Sequence, residues 1–105
     1  GLWAHLRLQE VGGGLRAPGE SITLSCHLSN ITFEGYRIRW YRQAPGGSLE
    51  WVSLFSFSGN VTKYGAAVKG RATASQDSYL SQSSLFLWPL QAQDSARYFC
   101  TIHTG

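Results

Sequence analysis

The sequence predicts an all-β chain in which short antiparallel strands form two packed sheets. The chain has 105 residues, which is close to the commonest domain size and enough for one hydrophobic core. It contains 12 glycines and 13% aromatic residues but only 14% charged residues, and it has no stretch rich in helix-favouring residues. Turn signals recur at roughly the 8–12-residue spacing that is typical of a sandwich.

The first two strands are recognised from alternating apolar and polar residues. Leu6–Val11 alternates, and Gly12–Gly14 is expected to interrupt it where the strand bends and crosses between sheets. After a turn at Pro18–Gly19, Ile22–Leu28 has its apolar residues at even positions, so that Cys26 lies on the buried face.

The middle of the chain predicts three more strands. Arg37–Gln43 alternates and has Ile38 and Trp40 on the face expected to be buried. A short turn rich in glycine and proline leads to Leu49–Phe57, and the strand after the next loop is Val61–Tyr64.

Three strands complete the prediction: Arg71–Ser75, Ser83–Trp88 and, after a corner, Ala96–His103. Alternation in the second of these places its leucines inside and its aromatic residues outside. The inward pair is Leu85 and Leu87. The outward pair is Phe86 and Trp88.

The only two cysteines stand 74 positions apart, and two aromatic residues keep informative spacings to them. Trp40 follows Cys26 by fourteen residues, and Tyr98 precedes Cys100 by two. This is the Cys…Trp…Tyr-x-Cys pattern of an immunoglobulin sandwich. The pattern implies a disulfide between the sheets, a tryptophan packed on it, and a tyrosine hydroxyl bonded back to the preceding corner. Such a bridge implies export from the cell and stabilises by roughly 4 kcal/mol in the chain-entropy model. The implied core residues are Leu24, Ile38, Trp40, Leu85, Leu87 and Tyr98.

From His5 onward the sequence resembles an immunoglobulin heavy-chain variable domain. The similar runs are Gly12–Leu15, Pro18–Gly19, Leu24–Cys26, Trp40–Gly46, Leu49–Val52 and Tyr98–Cys100. Tyr64–Thr73 is similar to the avian form of its segment. The resemblance therefore implies a variable-type (V-type) immunoglobulin-like β-sandwich of two antiparallel Greek-key sheets over residues 5–105. Residues 1–4, which are apolar and end in a small residue, are a candidate remnant of a secretory leader.

The resemblance ends where a joining segment and its strand would begin. The sequence is thus expected to be a V segment lacking the joining segment, with the last strand of the fold missing or incomplete. The final strand would then expose unpaired backbone groups at its edge.

The resemblance also implies roles for three groups of residues. Arg71 and Asp94 would form an ion pair at the corner before the last strand. The candidate antigen-binding residues, in loops at one end, are Thr32, Glu34, Gly35, Tyr36, Arg37, Phe55, Ser56, Phe57, Ser58 and Asn60. The candidate interface with a light-chain-like variable domain comprises Arg39, Tyr41, Gln43, Leu49, Trp51 and Phe99. Leu49 and Trp51 would add a bulky apolar patch to an exposed sheet face, which is typical of an interface.

Two other functions stay open beside antigen recognition in a heterodimeric antibody site. Tyr41 stands where valine is usual, and Trp40–Gln43 with Asp94–Ala96 also resembles T-cell receptor variable domains. The chain would then be the heavy-chain-like variable domain of a receptor δ chain. The third interpretation is an adhesion or innate receptor module without a rearranged loop.

The sequence predicts neither catalysis nor a cofactor. The three histidines lie far apart without acidic or cysteine partners at ligand spacing, and no nucleophile–base motif occurs, so we expect no enzyme and no metal site. The nine basic residues are scattered, which argues against a nucleic-acid or membrane surface. Two sequons predict N-glycosylation at Asn30 and Asn60 of a secreted or extracellular chain.

Overall fold

The computed structural model describes residues 6–14, 17–27, 36–56, 61–77 and 79–104. The strands in these ranges are β1 (Leu6–Gly14), β2 (Ile22–His27), β3 (Tyr36–Gln43), β4 (Leu49–Ser56), β5 (Val61–Tyr64), β6 (Ala72–Asp77), β7 (Gln82–Leu87) and β8 (Ala96–Thr104). A short 3-10 helix at Ala92–Asp94 precedes β8. No helix in the described part of the chain is long and apolar enough to cross a membrane.

The strands form two antiparallel sheets, as the alternation predicts. Sheet A has the order β1-β8-β3-β4-β5, and sheet B has the order β2-β7-β6. Strand pairing thus confirms the all-β prediction, and each of the seven strands from β2 to β8 lies within two residues of its predicted bounds at either end. The expectation that Gly12–Gly14 would interrupt the first strand is wrong, because pairing with β8 continues to Gly14.

The core lies between the inward faces of the two sheets. The predicted disulfide is confirmed: Cys26 of β2 is bonded to Cys100 of β8 across a Cα–Cα distance of 6.4 Å, and both residues are fully buried. The six predicted core residues are all buried, from Leu24 at 5% exposure to Leu85 and Leu87 at 0%. Burial of their apolar surface is the main favourable term that holds the two sheets together.

One extra residue in β4 reverses the face on which its later side chains lie. Trp40 pairs with Ser53, whereas the next residue of β3, Tyr41, pairs with Trp51, so Val52 is the extra residue of a β-bulge. Simple alternation from Trp51 would place Phe55 outside with it. The bulge instead turns Phe55 inward opposite Ile38, and Phe55 is only 7% exposed. The prediction that Phe55 adds to an antigen-contact surface is therefore wrong, since its ring belongs to the core.

The edge of β8 that was expected to be unpaired is occupied by β1. The two strands run antiparallel from Leu6 opposite His103 to Gly14 opposite Ala96, with Val11 as an extra residue between Glu10 and Gly12. The expectation of exposed backbone groups along β8 is therefore wrong. No strand beyond β8 occurs in the described ranges, and β1 forms the outer edge of sheet A.

Candidate partner-binding face and corner network

The corner before β8 is built around the carboxylate of Asp94. The 3-10 turn directs the Gln91 backbone N–H toward this carboxylate, and the Gln91 nitrogen lies 2.7 Å from Asp94 Oδ2. Arg71 is placed as its partner: Nη1 donates to Oδ2 at 2.6 Å and Nη2 to Oδ1 at 3.1 Å. Arg71 also donates to the backbone oxygens of Ala67 and Pro89, so its guanidinium joins the turn before β6 and the segment after β7 to the corner. Bidentate geometry of this kind fixes orientation as well as adding energy.

Sequence reasoning missed a second arginine in this network. Arg42 is only 4% exposed, and its Nη1 donates to Asp94 Oδ1 at 2.7 Å. Its Nε donates to Glu50 Oε1 at 2.6 Å. The alternation in β3 predicts the burial of Arg42, because Arg42 follows Trp40 by two positions and so lies on the same inward face. A charge at an inward position requires a charged partner, and Asp94 supplies it.

Tyr98 links the same carboxylate residue to β8. Its hydroxyl donates to the backbone oxygen of Asp94 at 2.6 Å and accepts from Arg42 Nη1 at 3.3 Å. This is the return hydrogen bond that the Tyr-x-Cys spacing predicts. The side chain is 1% exposed, and burial raises the pKa of its hydroxyl, an effect that the hydrogen bond from Arg42 partly offsets.

The network favours the ionised forms of its central pair. Burial would raise the pKa of the Asp94 carboxyl, but the hydrogen bonds from Arg71, the Gln91 backbone and Arg42 outweigh burial and lower that pKa below its usual range. Burial likewise opposes the charge of Arg42, whereas its hydrogen bonds to Asp94, Tyr98 and Glu50 raise its pKa overall. The corner is thus a structural ion network, with the carboxylate saturated by donors.

The six predicted interface residues lie on the outward face of sheet A. Register aligns Phe99, Tyr41 and Trp51 in one row across β8, β3 and β4. The neighbouring row aligns Gln43 with Leu49, and Arg39 lies two positions along β3 from Tyr41. Leu49 is 57% exposed and Trp51 38% exposed. These six residues, here called the partner face, therefore form one contiguous surface with an aromatic row at its centre.

Intramolecular contacts hold parts of the partner face in place. The Gln43 side-chain amide donates to the Gly47 carbonyl at 2.9 Å, which fixes it on the β3–β4 turn. The guanidinium carbon of Arg97 lies 5.7 Å from the centroid of the Phe99 ring, within cation–π range. A surface cavity of about 400 Å³ adjoins this end of the face, between the β3–β4 turn and the start of β8.

At the opposite end of sheet A, the structure describes only part of the predicted antigen-binding set. Arg37 is exposed at the start of β3 and lies opposite Ser56 of β4, beside the half-buried Tyr36. These three residues come together at one end of the sheet. Phe55, a fourth predicted position, is buried in the core. The remaining predicted positions, together with both sequon asparagines, lie outside the described residues: Asn30, Thr32, Glu34, Gly35, Phe57, Ser58 and Asn60.

The outer face of sheet B carries the predicted outward aromatic residues. Phe86 is 41% exposed and lies between Thr23 and Thr73, and Trp88 is 58% exposed just beyond β7.

Within the described ranges, no group of three or more acidic, histidine or cysteine residues is placed to bind a metal ion.

A family comparison agrees with this geometry. The model of the immunoglobulin V-set domain matches residues 15–105. The match covers β2 to β8, and with them both cysteines, the corner network and the partner face. V-set domains are extracellular or secreted, are generally not enzymes, and typically pair with other variable domains.

Proposed function

Since the chain belongs to the immunoglobulin V-set family, we propose that it is an immunoglobulin heavy-chain variable domain of avian type that recognises antigen. In this proposal it forms half of a heterodimeric binding site in a secreted or cell-surface receptor of adaptive immunity. The partner is a light-chain-like variable domain that packs on the partner face of sheet A. Antigen contacts come from the loops at the end marked by Tyr36, Arg37 and Ser56.

The aromatic row of the partner face is the observation that carries this proposal. Phe99, Tyr41 and Trp51 align across three strands, and the 57%-exposed Leu49 extends their apolar area. A continuous apolar area centred on aromatic residues is typical of protein interfaces, where such residues carry most of the binding energy. A variable domain that works alone has no need to expose Leu49 and Trp51.

Pairing with defined partner domains tests the proposal. The chain is mixed with an antibody light-chain variable domain or a T-cell receptor γ variable domain, and complex formation is measured by size exclusion with light scattering. We expect a one-to-one complex with the light-chain domain and at least a tenfold weaker complex with the γ domain. Selective pairing with the γ domain would favour the receptor δ chain. Pairing with neither would favour the adhesion or innate receptor module.

A matched pair of variants identifies the face that is used. Trp51→Arg should reduce light-chain affinity at least about thirtyfold, because central aromatic residues contribute about 2 kcal/mol or more. Phe86→Arg is the control, since Phe86 has similar exposure but lies on sheet B. Equal losses for the two variants would contradict the assignment of the partner face.

Both sequons enter the proposal as glycosylation sites of the secreted chain. Mass analysis before and after glycosidase treatment should show the loss of glycans at Asn30 and Asn60. An unchanged mass would contradict this part of the proposal.

A further inference from the structure

Three cations that are scattered in the sequence come together on the outward face of sheet A, at the end where the antigen-binding loops are proposed. Arg39 of β3 lies opposite Leu54 of β4, and Leu54 lies opposite Lys63 of β5. Directly opposed residues project to the same side of a sheet, so these side chains form one outward row. Arg37 lies two positions along β3 from Arg39 and therefore on the same side. Arg37, Arg39 and Lys63 are here called the loop-end cluster.

Strand geometry sets the distances within the loop-end cluster. Two residues along one strand lie about 7 Å apart, which is the Cα separation expected for Arg37 and Arg39. Two strand spacings, or about 10 Å, separate Arg39 from Lys63. Arg37 and Lys63 are exposed, whereas Arg39 is half-buried. Since the Debye length is about 10 Å at 0.1 M ionic strength, the three charges repel one another and act together on an approaching anion.

Among the side chains that the structure describes, no acid neutralises the loop-end cluster. The carboxylate of Asp94 is buried in the corner. That of Glu50 is bonded to the same network near the start of β4, whereas the cluster lies beside the end of that strand. Glu20 precedes β2 and Asp77 ends β6, and both of these strands belong to sheet B. By register, Glu10 of β1 lies outside both rows of the cluster.

We propose that the loop-end cluster binds an acidic antigen, namely an extended polypeptide segment that carries carboxylates at alternate residues. In an extended chain, residues i and i+2 lie on one side about 7 Å apart, which matches the spacing of Arg37 and Arg39. Guanidinium groups bind carboxylates through paired, charge-assisted hydrogen bonds, and Lys63 adds a third charge beside the segment. The bound carboxylates also remove the mutual repulsion of the cations and pair the partly desolvated guanidinium of Arg39.

This inference deepens the proposed function and rests on it, because it names the class of antigen that is bound at the loop end. The two fail separately, since peptide binding is measured on the chain alone and light-chain pairing by size exclusion. A chain that pairs with the light-chain domain but does not bind the acidic peptide would overturn this inference and leave the proposed function standing. A chain that binds the peptide without pairing would overturn the heterodimer and support the acidic-peptide site.

Calorimetric titration of the natural chain with a short, end-blocked peptide of alternating glutamate and serine tests the proposal. One control peptide has glutamine in place of glutamate, and a second has the same composition with the glutamates in one block. The alternating peptide should bind at least tenfold more tightly than the glutamine peptide and measurably more tightly than the block peptide. Its affinity should fall as salt is added, because the charges are exposed. Equal affinity for the alternating and glutamine peptides would overturn the proposal.

Matched lysine variants locate the binding site. Lys63→Gln should weaken binding about threefold, and Arg37→Gln with Lys63→Gln at least about tenfold, as expected for exposed charge pairs. Lys69→Gln is the control and should leave the affinity unchanged, because Lys69 is also exposed but lies in the turn that Arg71 joins to the corner. Equal losses in the two single lysine variants would overturn the proposal, and so would tighter binding of heparin than of the alternating peptide. Melting temperatures verify that each variant is folded.

Discussion

Replacing Asp94 by asparagine should destabilise this domain far more than replacing Glu50, the exposed carboxylate that also contacts Arg42. Asp94→Asn keeps the size of the side chain but removes its charge and turns one acceptor into a donor that faces guanidinium groups. Arg42 and Arg71 then lose a carboxylate that is 2% exposed and lies within 2.7 Å of both. Removing one partner from a buried ion pair costs about 3–5 kcal/mol, because the remaining charge stays buried.

The control is Glu50→Gln, which removes the other carboxylate that Arg42 contacts. Its contact with Arg42 Nε is 2.6 Å, as short as those at Asp94, but the Glu50 side chain is 50% exposed. Solvent screening limits an exposed pair to about 0–1 kcal/mol. The expected difference in stability loss between the two variants therefore follows from burial and not from contact distance.

Urea unfolding followed by tryptophan fluorescence measures both free energies, since Trp40 is buried in the core and becomes exposed on unfolding. At roughly 4 °C for each kcal/mol, the melting temperature of Asp94→Asn should also fall by ~12 °C or more. A loss below about 1 kcal/mol in Asp94→Asn, or an equal loss in Glu50→Gln, would refute the assignment of the network to Asp94.

The comparison of the natural chain with Asp94→Asn also predicts how the stability gained from Asp94 depends on pH. The pKa of Asp94 is lower in the folded than in the unfolded protein, so the unfolded state binds the proton more readily. Its contribution is complete above the ordinary aspartate pKa of about 3.9 and is lost as the pH falls through the lower folded value. The stability gap between the natural chain and Asp94→Asn should therefore narrow below about pH 4. A gap that stays constant across this range would contradict the explanation.

Three further substitutions test the packing by the same unfolding assay. Ser83→Ala removes a fully buried hydroxyl without a hydrogen-bond partner and should stabilise by about 1 kcal/mol, whereas Ser84→Ala, whose hydroxyl is bonded on the outer face, should not. Gly65→Ala would bring its Cβ to 2.7 Å from the Trp51 carbonyl oxygen and should destabilise by about 1–3 kcal/mol; an unchanged melting temperature would contradict this clash. Tyr98→Phe removes both hydrogen bonds at a buried hydroxyl and should cost about 1–3 kcal/mol, and a loss near zero would show that the corner holds without them.

The parts of the fold that depend on local pattern could be predicted from the sequence. Alternation around Cys26 and Trp40 fixes which side chains face the core, because successive residues of a strand point to opposite faces. The register between paired strands also depends on β-bulges, and alternation does not show where a single extra residue lies. The extra residue Val52 reverses the faces of the second half of β4, and Phe55 is buried for that reason. A bulge of this kind leaves no clear mark in composition.

The pairing of β1 with β8 is a second feature that local pattern cannot supply. The alternation of Leu6–Val11 predicts a strand but does not specify its neighbour in the sheet. Pairing of β2 to β8 leaves several edge strands, and β1 lies against one of them, β8. The three glycines after the alternating run predict an interruption, but they pair with β8 as part of the strand.

Exposure alone would not have separated the partner face from the outer face of sheet B. Phe86 is 41% exposed and Trp51 is 38% exposed, so each is a plausible interface residue by itself. Their neighbours differ. Phe86 lies between two threonines, whereas Trp51 continues a row of aromatic residues across three strands. Since the hydrophobic contribution grows with contiguous apolar area removed from water, the row on sheet A offers the larger gain on pairing. The variants Trp51→Arg and Phe86→Arg compare the aromatic row on sheet A directly with the threonine-flanked site on sheet B. Both variants introduce the same charge, and the two original side chains have nearly the same exposure.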